Sequence, residues 1–364
     1  MEINKITKIL EALAPPAYQE SYDNSGLLVG NPNTIVTGVL ITLDVTEEVI
    51  DEAIRNKTNL IVAHHPIIFK GIKSITGKHW VERCIIKAIK NDIAIYAIHT
   101  NLDNVINGVN AKIAEKLGLV NTRILSPKSE ILTKLVTFIP QENSQDVVQC
   151  LYDSGAGEIG EYDHCSFQVD GAGTFRPGPE SNPHLGAKGE NETVNEKRVE
   201  VIFPSFKTDK IISALKKSHP YEEIAYYLTS LQNKNQQVGS GMIGELKKPM
   251  ETEAFLTFLK DKMQTDVIRH TQIHLKEIRT VAVCGGAGSF LLSHAKAAKA
   301  DVFISGDFKY HDFFEADNEI IIADIGHYES EQFTKDLLYD ILSKKLTNIA
   351  LLLSGVKTNP IKYL

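Results

Sequence analysis

A chain of 364 residues is long enough for two or three domains, and its 43% hydrophobic and 23% charged content matches an ordinary soluble globular protein. A net charge of −7 and a pI near 6.0 argue against an electrostatically driven binder of nucleic acid or anionic membrane. No apolar run approaches the ~20 residues of a membrane span.

The spacing of Ile3, Ile6, Ile9, Leu10 and Leu13 predicts an amphipathic core helix at the N-terminus, not a signal peptide. The segment Tyr22 to Gly30 is rich in turn formers. Gly38 to Leu43 reads as a strand, and Asp44 to Lys57 as a helix with Thr46 as N-cap. The run Leu60 to Ala63 reads as a strand buried on both faces, ending in His64-His65-Pro66. A helix over about His79 to Asn91 follows, then a strand from Ile93 to Ile98 that ends in His99-Thr100-Asn101-Leu102-Asp103. A helix closing at Gly118 completes a first α/β block.

From about residue 130 the pattern changes. Strands are expected over Leu132 to Ile139, Cys165 to Val169, Val199 to Phe203 and Ile224 to Leu231. Helices are expected over Ser144 to Ser154 and Thr208 to Lys217, giving the order βαββαβ of a ferredoxin-like unit. Gly173 to Asn195 reads as a long polar loop. At about Gly239 the first pattern resumes with a helix over Thr252 to Met263, then strands at Val281 to Cys284, Val302 to Ser305, Ile320 to Ala323 and Ile349 to Leu353. Further helices are expected up to Lys299, from Lys309, and up to Lys345.

The fold class is therefore α/β. Two similar blocks with mostly parallel sheets, 1–129 and 236–364, form one discontinuous domain interrupted by a ferredoxin-like α+β domain at 130–235. Ligands in such sheets sit at the carboxyl ends of strands, which is where the histidines fall.

Histidine with a carboxylate four residues on shares a helix face. Chance supplies roughly one or two such pairs in a chain of this composition, and position must sort His99/Asp103, His219/Glu223, His311/Glu315 and His327/Glu331. His219/Glu223 lies away from the α/β strand ends, and His311/Glu315 is a better packing pair than ligand pair. His327/Glu331 opens a helix after a buried strand, as Asp103 follows another. His64, His65, Asp103, His327 and Glu331 thus form a convergent set of three imidazoles and two carboxylates, suited to two divalent ions. Mixed nitrogen and oxygen ligation fits Zn, Mn, Fe, Co or Ni without choosing among them. Such a centre activates water and clamps an anionic oxygen. His99, Asp307 and His311 are candidates for supporting or substrate-facing roles. Cys84, Cys150, Cys165 and Cys284 are scattered, which excludes a thiolate zinc knuckle and points to a reducing, cytoplasmic setting. The turn Cys284 to Ser289 reads as a tight connection.

Several stretches resemble the GTP cyclohydrolase 1 type 2 homologue family of dinuclear-metal-centre hexameric proteins. They are Asp23 to Leu27, His64-His65-Pro66, His99 to Asp103, Gly239 to Leu246, Ser305-Gly306-Asp307 with His311, and Gly326 to Glu331. Gly173 to Gly178 and His219 to Glu223 match in the insert, which is similar to the CutA-like domain of longer members. Tyr22 and Ser25 depart from the family's usual Trp and Val. The resemblance implies the same five ligands, two metal ions per subunit and a toroidal homohexamer. A small anionic ligand is the expected substrate class; nucleic acid and membrane are not expected partners. Two functions follow: a metal-dependent hydrolase of a nucleotide or phosphorylated small molecule, or a non-catalytic metal-binding ring with the insert as sensor or gate.

Overall fold

The strands in chain order are β1 (Gly26–Val29), β2 (Gly38–Thr42), β3 (Leu60–Ala63), β4 (Ala94–Ala97), β5 (Val120–Lys128), β6 (Leu132–Pro140), β7 (Phe167–Phe175) and β8 (Glu192–Pro204). They continue as β9 (Tyr226–Leu231), β10 (Asn235–Glu251), β11 (Arg269–His270), β12 (Glu277–Ala287), β13 (Val302–Gly306), β14 (Ile321–Asp324) and β15 (Ala350–Leu353). The computed structural model describes all 364 residues and is a mixed α/β fold with three sheets. No helix is long and apolar enough to cross a membrane.

One unit comprises Met1–Pro127 and Gln237–Leu364 and holds two sheets. The first has the order β1-β4-β3-β2-β15, with β15, β2, β3 and β4 parallel and β1 antiparallel at the edge. Its central strands are wholly buried, which explains their unbroken apolar runs. Helices Glu47–Arg55 and Trp80–Lys90 start where the side chains of Thr46 and His79 accept a backbone N–H. Their apolar faces join Leu40, Ile61 and Ile95 in one core.

The second sheet has the order β11-β14-β13-β12-β10-β5. Only β12, β13 and β14 are parallel; β10 and β11 run antiparallel to their neighbours. In each sheet three parallel strands run in the same spatial order, and a short antiparallel edge strand that precedes them in sequence pairs with the third. The blocks nevertheless trade strands. β15, from the end of the chain, extends the first sheet, and β5, from before the insert, extends the second. Both β5 and β10 lie outside the expected set, because the glycines of Gly239 to Gly244 and the polar start of β5 break the apolar pattern. The helix expected from Lys309 is a 3₁₀ segment, Tyr310–Ala316.

The other unit is Lys128–Gln236. Its antiparallel sheet has the order β7-β8-β6-β9. Helices Ser144–Asp153 and Thr208–Ser218 bury Val147, Leu151, Ile211 and Leu215 against Leu135, Val199, Val201 and Phe203 on one face of it. The long loop expected over 173–195 is shorter, because β7 continues to Phe175 and β8 begins at Glu192. Cross-strand pairing carries these polar residues as strand, from Gly173 opposite Val194 to Phe175 opposite Glu192.

Candidate metal centre

His64 and His65 leave β3 where it stops, so the period-2 alternation no longer sends their rings to opposite faces. Their ring centroids are 4.9 Å apart. His64 is fully buried and donates from Nδ1 to the Ile98 carbonyl at 2.8 Å. His65 donates from Nδ1 to Asp44 Oδ1 at 2.7 Å. His327 donates from Nδ1 to Asp307 Oδ2 at 2.7 Å. Each of the three imidazoles thus has its Nδ1 fixed from outside and its Nε2 turned inward.

Glu331 receives them. It is 3% exposed, at the end of the short helix His327–Glu331. Its Oε2 lies 2.9 Å from His65 Nε2 and 3.1 Å from His327 Nε2, and its Oε1 lies 3.7 Å from His64 Nε2. Gly286, at φ +64°, leaves the space for that carboxylate: a Cβ there would stand 2.5 Å from Oε1. The glycine-rich turn after β12 therefore makes room for Glu331. Asp103 closes the other side, with Oδ1 3.6 Å from His64 Nε2. Both of those atoms are buried with no hydrogen-bond partner, an arrangement that is costly unless a further group pairs with them.

The electrostatics follow from this crowding. Burial works against a charged His65 and a charged His327. Hydrogen bonds to Asp44 and Glu331 nonetheless push His65 up to about 10, and those to Asp307 and Glu331 push His327 up to about 11. Burial, and then the Glu331 carboxylate, push Asp103 up to about 7. Burial opposes ionisation of Glu331 as well, yet the bonds it accepts from the histidines hold it well below the usual range.

The donor atoms fall into groups able to hold an ion, each within 4.8 Å of one another: His65, His327 and Glu331; His64, Asp103 and Glu331; and His64, His65 and His99. Glu331 belongs to two of them. His99 stands beside the cluster, its ring 5.3 Å from both His64 and His65. Its Nδ1 donates to Asp23 Oδ1 at 2.7 Å. His311 is exposed, packs edge-on against Tyr310, and pairs with none of the five.

A family model described as Duf34/NIF3 (NGG1p interacting factor 3) matches residues 1–360. The chain belongs to the NIF3 family. A Bacillus subtilis relative named GTP cyclohydrolase 1 type 2 homolog is 38% identical over 366 residues, 99% of this chain and 98% of that one. The crystal structure of a Bacillus cereus protein related to NIF3 matches with a TM-score of 0.86 at 38% identity, covering 100% of this chain and 99% of its own. A Staphylococcus aureus structure matches with a TM-score of 0.80 at 30% identity, covering 100% and 99%.

Two carboxylates of this NIF3 chain escaped the sequence reading. Asp44 ends the segment after β2, the strand beside β3, and holds His65. Asp23 sits in the turn-rich segment before β1. Its Oδ2 accepts the Thr100 N–H at 3.0 Å while Oδ1 holds His99. Adjacent strand ends were the signal for Asp44; Asp23 stands in a stretch that carries the family resemblance, but its turn-forming neighbours gave no sign that it would hold His99.

Proposed function

We propose that this chain holds two divalent metal ions through His64, His65, Asp103, His327 and Glu331 and hydrolyses a nucleotide or another phosphorylated small molecule. One observation carries the reading: a buried carboxylate divided between two sets of inward-facing donors, with His64 Nε2 and Asp103 Oδ1 left unpartnered. Zn, Mn, Fe, Co and Ni all suit the donor set. When bound, two such ions supply a water of lowered pKa and a clamp for an anionic oxygen. The protein's own part is orientation. Asp44, Asp307 and the Ile98 carbonyl hold the Nδ1 protons, so that each Nε2 lone pair faces the centre. His99, its Nδ1–H held by Asp23, can take or return a proton at Nε2.

The sheet order β7-β8-β6-β9 with two helices on one face supports reading the insert as ferredoxin-like, akin to CutA-like domains. The family relationship supports a toroidal homohexamer as the working assembly. A non-catalytic ring with the insert as sensor or gate is the second reading. It is favoured by the partners of the five residues, among which there is no lysine or arginine to position a phosphate.

The test is metal analysis of the purified protein, then turnover of the metal-loaded form against nucleoside triphosphates and phosphoesters, with His65→Ala as control. Two equivalents of metal and turnover lost in the variant are expected. Equal turnover by both proteins overturns the hydrolase; metal binding without turnover of any substrate moves the assignment to the second reading.

A further inference from the structure

Within residues 128–236 lies a cavity of about 630 Å³ that the metal chemistry does not use. Its size is that of a small-molecule site. Strand alternation sets Phe138, Gly173, Phe175, Glu196 and Tyr227 on the face of the sheet opposite the helices, and this face floors the cavity. The two insert motifs of the sequence meet there, Gly173 to Gly178 along one wall and Tyr221 to Glu223 along another.

The histidine of the second motif is structural. His219 Nε2 donates to the Phe138 carbonyl at 2.9 Å, and its Nδ1 accepts the Tyr221 N–H at 3.1 Å. It thereby fixes Tyr221 at the cavity edge. Glu223 is exposed and does not pair with it.

Glu196 is the anomaly. It is 7% exposed, and the cations next to it in sequence are turned to other acids, Lys197 to Asp170 and Arg198 to Glu200. Gly173 makes its position possible, since a Cβ there would stand 2.0 Å from Glu196 Oε2. The buried Tyr221 hydroxyl has Glu196 as its polar neighbour but makes no close hydrogen bond; burial, and then its hydrogen-bonding and charge interaction with Glu196, raise its pKa. Other charged groups of the wall are engaged. Arg198 pairs with Glu200 at 2.8 Å, Arg176 Nε donates to the Gly189 carbonyl at 2.8 Å, and Glu222 accepts the Asn182 N–H at 2.8 Å. Four acids against two arginines line the cavity, so an anion is the wrong occupant. No cluster of metal-binding geometry lies in this unit, so a metal ion is not the occupant either. Aromatic rings complete the site, with Phe138 and Tyr227 edge to face at 5.9 Å and Phe175 5.9 Å from Tyr221.

We propose that this cavity binds a small organic cation, a ring-bearing amine or amidine whose charge meets Glu196 and Tyr221 and whose ring lies among Phe138, Phe175 and Tyr227. A cation there would meet a largely buried carboxylate that has no cationic partner, and the aromatic faces add cation–π attraction. The proposal does not rest on the metal centre.

The test uses the full chain with benzamidine as cationic probe, benzyl alcohol as its neutral counterpart and benzoate as its anionic one, followed by calorimetry and ligand-detected NMR. Saturable binding of benzamidine, stronger than that of either counterpart, is expected. Glu196→Gln should weaken it about tenfold or more while the melting curve shows the variant still folded. Tyr221→Phe should weaken it less and serves as the second variant. Benzoate binding in preference, an unchanged affinity in Glu196→Gln, or no saturable binding of benzamidine overturns the proposal.

Discussion

Glu331 and Glu196 are buried to nearly the same degree, 3% and 7% exposed, in surroundings of opposite character. Glu331 stands at strand ends of an α/β unit, where the chain emerges from wholly buried strands and several elements can aim side chains at one point. Its neighbours are imidazoles whose outer nitrogens are already held. Glu196 stands in mid-strand on the open face of an antiparallel sheet, among aromatic rings, and its neighbour Arg198 is turned to Glu200. Burial of a carboxylate therefore does not by itself name its partner. The donors around it suggest one: on the readings proposed above, fixed imidazoles fit a metal and aromatic faces an organic cation.

The sharpest way to break the comparison is Glu331→Gln. If Glu331 serves both donor sets, bound metal should fall from two equivalents to one or none. The loss of affinity should exceed the roughly 10–100-fold that follows removal of an outer hydrogen-bond partner. Elemental analysis after dialysis measures it. Full retention of both ions would reduce Glu331 to a partner of His65 and His327 alone.

A second test separates the two regions by stability. Phe203 is fully buried under the helices of the insert, and Phe203→Ala should cost about 3–5 kcal/mol. Hydrogen exchange read peptide by peptide should show the loss within 128–236, with metal content unchanged. Loss of metal would mean that the strand-end cluster depends on the insert's packing.

Smaller still is Asp44→Asn, which keeps a hydrogen-bond acceptor for His65 but removes the charge. Metal affinity should fall roughly 10–100-fold, with both sites still filled at saturating metal. Competition with a chelator checks it.

How much of this was legible from the chain follows from the same contrast. Wholly buried parallel strands read as unbroken apolar runs, so β2, β3, β4, β13 and β14 and the residues at their ends were found from sequence. The five cluster residues come from those ends. Strands at an edge, with one open face, or rich in glycine break that pattern, so β5, β10 and the outer halves of β7 and β8 were missed or shortened. Glu196 was invisible for a related reason. Only the strand pairing that lays Gly173 under its carboxylate shows that Glu196 is buried. His311, a candidate for a supporting or substrate-facing role, lies on a 3₁₀ segment where a helix was expected, and it packs against Tyr310 rather than any of the five.

The smallest expected effect is also the one in which the regions differ in sign. His219 is buried neutral. Burial lowers its pKa below 6.5, and nearby His184 adds to this against the hydrogen bond to the Phe138 carbonyl. The unfolded chain takes up a proton near 6.5 that the folded insert refuses, so this contribution to stability is whole above that pH and is lost as pH falls below it. His65 and His327 behave oppositely. Their raised pKa values, about 10 and about 11, make their contribution in metal-stripped protein whole below 6.5 and lost as pH rises through 10 to 11. Exchange within 128–236, corrected for intrinsic rates, should therefore quicken between about pH 7 and about pH 5.5, and His219→Gln should flatten that change. Peptides around His65 and His327 should instead lose protection on the alkaline side. An acid-sensitive cluster with an acid-indifferent insert would reverse the assignment of which region carries its histidines neutral and which carries them charged.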